Sequence, residues 1–283
     1  MCLLFLYINP NPKKGEYKLV LVNNRDESYE RPTKKAHLWD SNLYGGMDIQ
    51  SGKEGGTWLA LSQTGKIGCL LNILMPKEQF QLEAAPRGQL IVDYLLSDLA
   101  GMEYLEKLKM SGTIFNRFNL LTMDWGEDGY RVSYYNSEDK VPTDIEPGIR
   151  GFGNSSNHKP FKKVNRGEKR LKEIIEACGR VDDEARLLKE LFTMMEDSTK
   201  NLPDDQLMEQ GQGHSDELIN SLSSIWVTAA AGQYGTRTTT VILVDYTNRI
   251  VFKERTMRAP INLDDIEWDV SEYSFRVKNI GNI

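Results

Sequence analysis

The chain has 283 residues, 40% hydrophobic and 27% charged, the balance of an ordinary globular protein. Its net charge of −6 argues against a general nucleic-acid binder, which carries a basic surface. No apolar run approaches the roughly 20 residues that span a bilayer, and three cysteines without metal-type spacing read as free thiols in a reducing compartment.

Residues 2–8 and 17–24 are short runs rich in Leu, Val, Ile, Phe and Tyr, joined by "NPNPKKGE", and they predict a β-hairpin. Their unbroken hydrophobicity predicts strands covered on both faces. "TWLALS" (57–62) and "IGCLLNIL" (67–74) predict a second hairpin across "QTGK". Helices are expected over 87–97, where Leu90, Ile91, Tyr94 and Leu95 share a face, and over 103–109. "FNLLTMDW" (118–125) and "YRVSYYN" (130–136) form a third hairpin around "GEDG". Amphipathic helices follow at 161–178 and 183–196, then a polar stretch at 200–222 reads as a mobile surface segment. "SSIWVTAAA", "RTTTVILVDY" and "RIVFKERTM" close the chain, the last two as a hairpin across "TNR". With no repeat and no evident linker, residues 1–283 read as one domain. Hairpins with segregated helices favour an α+β fold, an αββα sandwich of two antiparallel sheets between helix layers.

Residues 1–8 lack the positive flank and small-residue cleavage site of a signal peptide, and they lack the arginines of a mitochondrial presequence. The expectation is a cytoplasmic protein, with mitochondrial or Golgi association left open.

Cys2 directly follows the initiator methionine, which is usually removed before so small a residue. The thiol would then lie beside its own α-amine, whose pKa of roughly 7.7–8.0 suits it to take the thiol proton. No histidine is required, and His37, His158 and His214 all sit in polar segments. A cysteine that merely packs is the bland reading. Arg25, Asn72, Asn154 and Arg237 are candidates to stabilise the oxyanion that attack on an amide creates. Taken singly, such Asn residues serve turns and such arginines lie on the surface.

Cys2, "NRDE" (24–27), "GKEGGTW" (52–58), "FNLL" (118–121) and "YGTRTTTVILV" (234–244), in this order, closely resemble the NRDE family, also called the transport and Golgi organisation protein 2 family. The resemblance covers nearly the whole chain. That family is similar to N-terminal-nucleophile hydrolases of the bile-salt hydrolase and penicillin V acylase group, which implies the αββα fold. By resemblance Cys2 takes the nucleophile position, Arg25 the second-strand arginine, Asn72 and Asn154 the oxyanion positions, and Arg237 the late arginine. Asp26 is the neighbouring carboxylate. In the hydrolases that arginine and aspartate are separated, whereas Arg25 and Asp26 are adjacent here. Alternation along a strand puts Arg25 and Glu27 on one face and Asp26 on the other, so which acid holds the Cys2 amine stays open.

Animal members of the family look like haem-trafficking proteins, so the resemblance implies haem carriage first, with haem as cargo and no catalytic cofactor or metal. A cysteine amidohydrolase acting on an acyl-amide is the alternative, and an acyl-CoA or lipid-binding protein a third. No CxxCH motif occurs; Cys2, His158 and His214 are the weak candidates for an axial ligand. "KPFKKVNRGEKRLK" (159–172) holds seven basic residues and reads either as an anion or transient membrane contact or, more simply, as the wet face of a helix. The glycines of "GKEGGTW" offer an anion-binding nest or a tight turn.

Overall fold

In the computed structural model, which describes residues 2–126 and 129–277, the unbroken apolar strands find cover on both faces. The elements run β1 (Cys2–Ile8), β2 (Tyr17–Ser28), β3 (Thr33–Leu38), β4 (Leu43–Asp48), β5 (Leu59–Ser62), β6 (Ile67–Asn72), α1 (Gln89–Leu96), α2 (Gly101–Lys109), β7 (Phe118–Gly126) and β8 (Gly129–Asn136). After these come β9 (Thr143–Asp144), β10 (Gly148–Phe152), α3 (Lys162–Cys178), α4 (Glu184–Met195), α5 (Asp205–Gln210) and α6 (Asp216–Leu222). Four strands finish the set: β11 (Thr228–Ala229), β12 (Tyr234–Asp245), β13 (Arg249–Met257) and β14 (Trp268–Arg276).

Two antiparallel sheets result. One is ordered β10-β1-β2-β12-β13-β14, with β11 on β12, and the other runs β3 to β9 in chain order. The odd–even alternation of β1 shows the layering. Leu4 and Leu6, with Leu19, Leu21 and Ile242, point inward against Leu59, Leu61, Leu71 and Leu121 of the second sheet. Leu3 and Phe5, with Val20, Val22 and Val241, point outward beneath α3 and α4. On the far side Ala60, Leu70 and Leu120 are covered by α1 and α2 through Ile91, Tyr94 and Leu105. Helix, sheet, sheet, helix is therefore the observed order, as expected. Each such buried aliphatic side chain contributes about 1.5–3 kcal/mol, and the interdigitation is tight. Gly167 of α3 is held to glycine because a Cβ there would sit 2.1 Å from the Phe5 ring.

The structure departs from expectation in several places. Residues 200–222 are not a loose segment. Asp204 caps α5 through the Leu207 N–H (3.1 Å), and Ser215 caps α6 through the Leu218 N–H (3.3 Å). Leu207, Ile219 and Leu222 then bury against Phe161 and Val227. Strands β3, β4, β10 and β14 carry no continuous apolar run and were not anticipated. "SSIWVTAAA" contributes only the two residues of β11. The turn between β7 and β8 at 127–128 lies outside the described residues, as does Met1. No helix among the described residues is long and apolar enough to cross a membrane.

Candidate functional site

Cys2 begins β1 directly opposite Arg25 of β2, so both side chains point between the sheets at the same end. They open on a cavity of about 530 Å³ whose wall includes Cys2, Arg25, Asp26, Glu27, Arg31, Asp48, Trp58, Asn72 and Arg87. Cys2 itself is buried. Burial pushes its thiol above the ordinary value, while the Asp26 backbone N–H donating to the sulfur and the Arg25 charge pull the other way.

Arg25 sits over the Trp58 indole, its Cζ 4.1 Å from the ring centroid, and donates to Thr33 Oγ1 at 3.3 Å. Its ion pair with Glu27 spans 4.0 Å, so these two do share a face. Burial alone would lift the Glu27 carboxyl. The charges of Arg25 and Arg31 and the Ser28 N–H (2.9 Å) outweigh it and hold the group below the usual range. Asp26 turns to the opposite face, where its Oδ1 accepts from Thr236 Oγ1 at 2.6 Å and its carbonyl oxygen accepts from the Tyr234 hydroxyl at 2.9 Å. Burial pushes its carboxyl up, partly countered by Lys163 and Thr236.

A β-bulge positions Arg237. Thr236 pairs with Asp26 and Thr238 with Arg25, leaving Arg237 as the extra residue. Such a bulge re-aims a side chain, and this guanidinium clamps the turn after β2, donating to the carbonyls of Ser28 (2.7 Å) and Arg31 (2.8 Å). Burial lowers its pKa to about 10. It braces the turn and is not part of the cavity wall described above.

The two asparagines divide their work. Asn72, at the end of β6, lines the cavity. Asn154 stands behind it, fully buried, and donates its amide to the Asn72 carbonyl oxygen at 2.6 Å. Its own carbonyl oxygen accepts from the Leu74 N–H (2.8 Å) and Gln210 (3.2 Å).

Of the histidines, His158 is exposed beside Asp139. His214 contacts the Met75 carbonyl oxygen at 3.3 Å and borders a second, largely apolar cavity with Leu74, Leu218 and Tyr234. Of the three axial-ligand candidates, Cys2 and His214 therefore border different cavities. The glycine loop before Trp58 is a tight turn. Gly52 and Gly55 take φ of +76° and +79°, and the N–H groups of Lys53, Gly55 and Gly56 are spent on carbonyls of the same loop.

Four residues escaped sequence reasoning. Arg87 reaches the cavity just before α1, bonded to the Arg117 carbonyl at 2.9 Å and lowered by burial to about 10. Nothing in its local pattern marks it. Arg31 and Asp48 form a two-pronged pair at the mouth (3.2 and 2.5 Å). Lys163, taken as part of a wet basic face, is buried, whereas the other six basic residues of 159–172 are exposed. Its spacing was the available signal, four residues before Gly167 on the flank of the stripe Val164, Gly167, Leu171 and Ile174.

Residues 1–259 match the family described as Transport and Golgi organisation 2. The mouse "Transport and Golgi organization 2 homolog" is 34% identical over 284 residues, covering 99% of this chain and 100% of that protein. The Drosophila melanogaster "Transport and Golgi organization protein 2" is 34% identical over 269 residues, covering 91% and 92%. Among solved structures, a Caenorhabditis elegans N-acylethanolamine-hydrolyzing acid amidase ortholog superposes with a TM-score of 0.46 at 12% identity, covering 86% of this chain and 92% of that one. The C2A mutant of conjugated bile acid hydrolase from Clostridium perfringens gives 0.40 at 11% identity, with both chains fully covered. Superpositions this loose transfer no residue roles.

Proposed function

The chain belongs to the Transport and Golgi organisation 2 family, and from that premise we propose that it is a cysteine amidohydrolase acting on a small acyl-amide, with Cys2 as its N-terminal nucleophile. One observation carries this reading: a sulfur at the start of the interior strand β1 opens into a roomy cavity, with a backbone N–H on the sulfur and Arg25 directly opposite it in register.

Loss of Met1 leaves the α-amine of Cys2 as the base. The amine takes the thiol proton, the sulfur bonds to the amide carbon, and the C–N electrons leave with the amine product, which collects that proton. Water then cleaves the thioester, returning the thiol and releasing a carboxylic acid. Asn72 faces the developing oxyanion, and Asn154 fixes Asn72 from behind. Arg25, held on Trp58, supplies positive charge beside the sulfur. The experiment is turnover of a panel of N-acyl amides, with intact-mass analysis of the mature chain. Methionine loss, a thioester adduct on Cys2 and abolition of both adduct and turnover in Cys2→Ala are expected. Turnover surviving in folded Cys2→Ala ends the proposal.

Haem carriage is a second reading, supported by a sulfur and an imidazole that each border a cavity of about 530 Å³. It expects a saturable Soret shift that Cys2→Ala or His214→Ala weakens, and linear nonspecific binding refutes it. The relatives' names supply the proposed setting, transport and Golgi organisation.

A further inference from the structure

The wall of the Cys2 cavity includes the cations Arg25, Arg31, Lys53 and Arg87. Arg25 is engaged by Trp58, Thr33 and Glu27, and Arg31 by Asp48. Lys53 is exposed to solvent. Arg87 is half-buried, and among the described residues it forms no ion pair. Only its Nη1 is bonded, donating to the Arg117 carbonyl at 2.9 Å and reaching the Asn116 carbonyl at 3.5 Å. The catalytic scheme above gives this group no task.

What stays free is one edge of the guanidinium. Nε and Nη2 lie side by side there and form the two-donor fork that fits the two oxygens of a carboxylate. The same edge of Arg31 shows the fit within this fold, with Nε on Asp48 Oδ1 at 3.2 Å and Nη2 on Oδ2 at 2.5 Å. On Arg87 these two atoms are unpartnered among the described residues, yet they are not sealed from solvent. The support beneath them is rigid. The Thr57 N–H donates to the Gly88 carbonyl at 3.1 Å, and a Cβ on Gly88 would lie 3.0 Å from the Thr57 nitrogen, so the chain beside Arg87 is docked closely just ahead of β5. A group already held at its backbone and at Nη1 gives up little freedom when a ligand arrives. Although burial lowers its pKa to about 10, Arg87 is charged at neutral pH.

We propose that Arg87 is a specificity-determining residue: the acyl-amide cleaved at Cys2 carries a carboxylate, which seats on the Nε–Nη2 edge of Arg87. This rests on the reading of Cys2 as an N-terminal nucleophile. Sulfur and guanidinium belong to the wall of one cavity of about 530 Å³, a size within the roughly 300–1,000 Å³ of small-ligand sites. A neutral substrate would cover the fork and leave its donors unpaired, and that penalty is the source of discrimination. The carboxylate lies on the amine or the acyl side of the amide bond, and the same fork reads either.

The test is isothermal titration calorimetry in Cys2→Ala, which on the hydrolase reading leaves the amide uncleaved. The probes are N-hexanoylglycine, with its carboxylate on the amine side, and N-hexylsuccinamic acid, with it on the acyl side. Each is compared with the neutral primary amide of the same skeleton. One or both carboxylates should bind about tenfold or more tighter than the neutral counterpart, and the stronger preference names the side. Arg87→Gln in the same background should erase it. A merely structural Arg87 would weaken acid and neutral amide alike and leave their ratio unmoved. Should Arg87→Gln not fold, the Arg87 Nε–H resonance of Cys2→Ala is followed instead, and the preferred carboxylate should shift it downfield while the neutral amide does not. No preference for either carboxylate, a preference unchanged in folded Arg87→Gln, or an unmoved Nε–H resonance overturns the assignment. These are binding readouts, so failure of the hydrolase reading registers separately, in the turnover panel.

Discussion

Replacing Gly46 by alanine tests how the site arginine is supported. A Cβ at position 46 would lie 2.3 Å from Trp58 Cη2 and 2.5 Å from Cζ2, with the Lys34 carbonyl oxygen 3.3 Å away on the other side. Carbon atoms rest at about 3.5–4.0 Å, so the indole must retreat by roughly 1 Å while its other face carries the Arg25 guanidinium. Overpacking of this kind costs about 1–3 kcal/mol, and a weakened cation–π contact adds about 0.5–2 kcal/mol. Alanine's strand preference over glycine returns only about 0.5–1 kcal/mol, so the net sign is destabilising. Urea denaturation of the wild type, Gly46→Ala, Trp58→Phe and the double variant measures it. Phenylalanine lacks the outer indole atoms that meet the new methyl, so Gly46→Ala should cost at least about 1 kcal/mol less in the Trp58→Phe background. Alkylation of Cys2 should slow in Gly46→Ala as Arg25 shifts. Equal cost in both backgrounds, or none in either, refutes the reasoning.

Two further outcomes are expected. Asn72→Ala should lower turnover by about 10²–10³-fold with the fold retained, whereas Asn154→Ala should also raise mobility at Asn72, read by hydrogen exchange at Ile73 and Leu74; a larger kinetic loss in Asn154→Ala than in Asn72→Ala contradicts that division of labour. Glu254 is buried, accepting from the Ala36 N–H (2.8 Å), Thr240 (2.8 Å) and Thr256 (3.1 Å), and burial lifts its carboxyl above the ordinary 4.5. The native state then keeps that proton to higher pH than the unfolded chain, so this contribution to stability is full below about pH 4.5 and lost as pH climbs through the folded value. Glu254→Gln should flatten that part of the stability–pH curve, and parallel curves for the two proteins contradict it.

Strands with both faces covered were legible because burial on both sides demands apolar residues throughout: Cys2–Ile8 and Ile67–Asn72 read directly. β3, "TKKAHL", is an edge strand whose exposed lysines hide it, and β4 spends two positions on glycines that make room for the Trp58 ring and the β5 backbone. Edge strand β14 mixes exposed charge with single buried contacts such as Ser271 to the Ala36 carbonyl (2.7 Å). Two short helices in 200–222 were hidden because so few of their residues are apolar, and the caps Asp204 and Ser215 were the overlooked signals. At the site, strand alternation correctly separated Asp26 from Arg25 and Glu27. The inward turn of Lys163, the brace made by Asn154 and the clamp made by Arg237 all depend on partners far away in sequence, which no local pattern encodes.

The bulge in β12 has an unusual genetic corollary. Deleting one residue from a paired strand ordinarily reverses the sidedness of everything beyond the cut. Here the partners of Thr236 and Thr238 are already consecutive, Asp26 and Arg25, and already face opposite layers. Excising Arg237 would therefore splice two ladders that are in phase, removing one guanidinium while Thr236 keeps Asp26 and Thr238 keeps Thr256. At this point in the chain a codon loss is milder than a frame of alternating side chains would suggest.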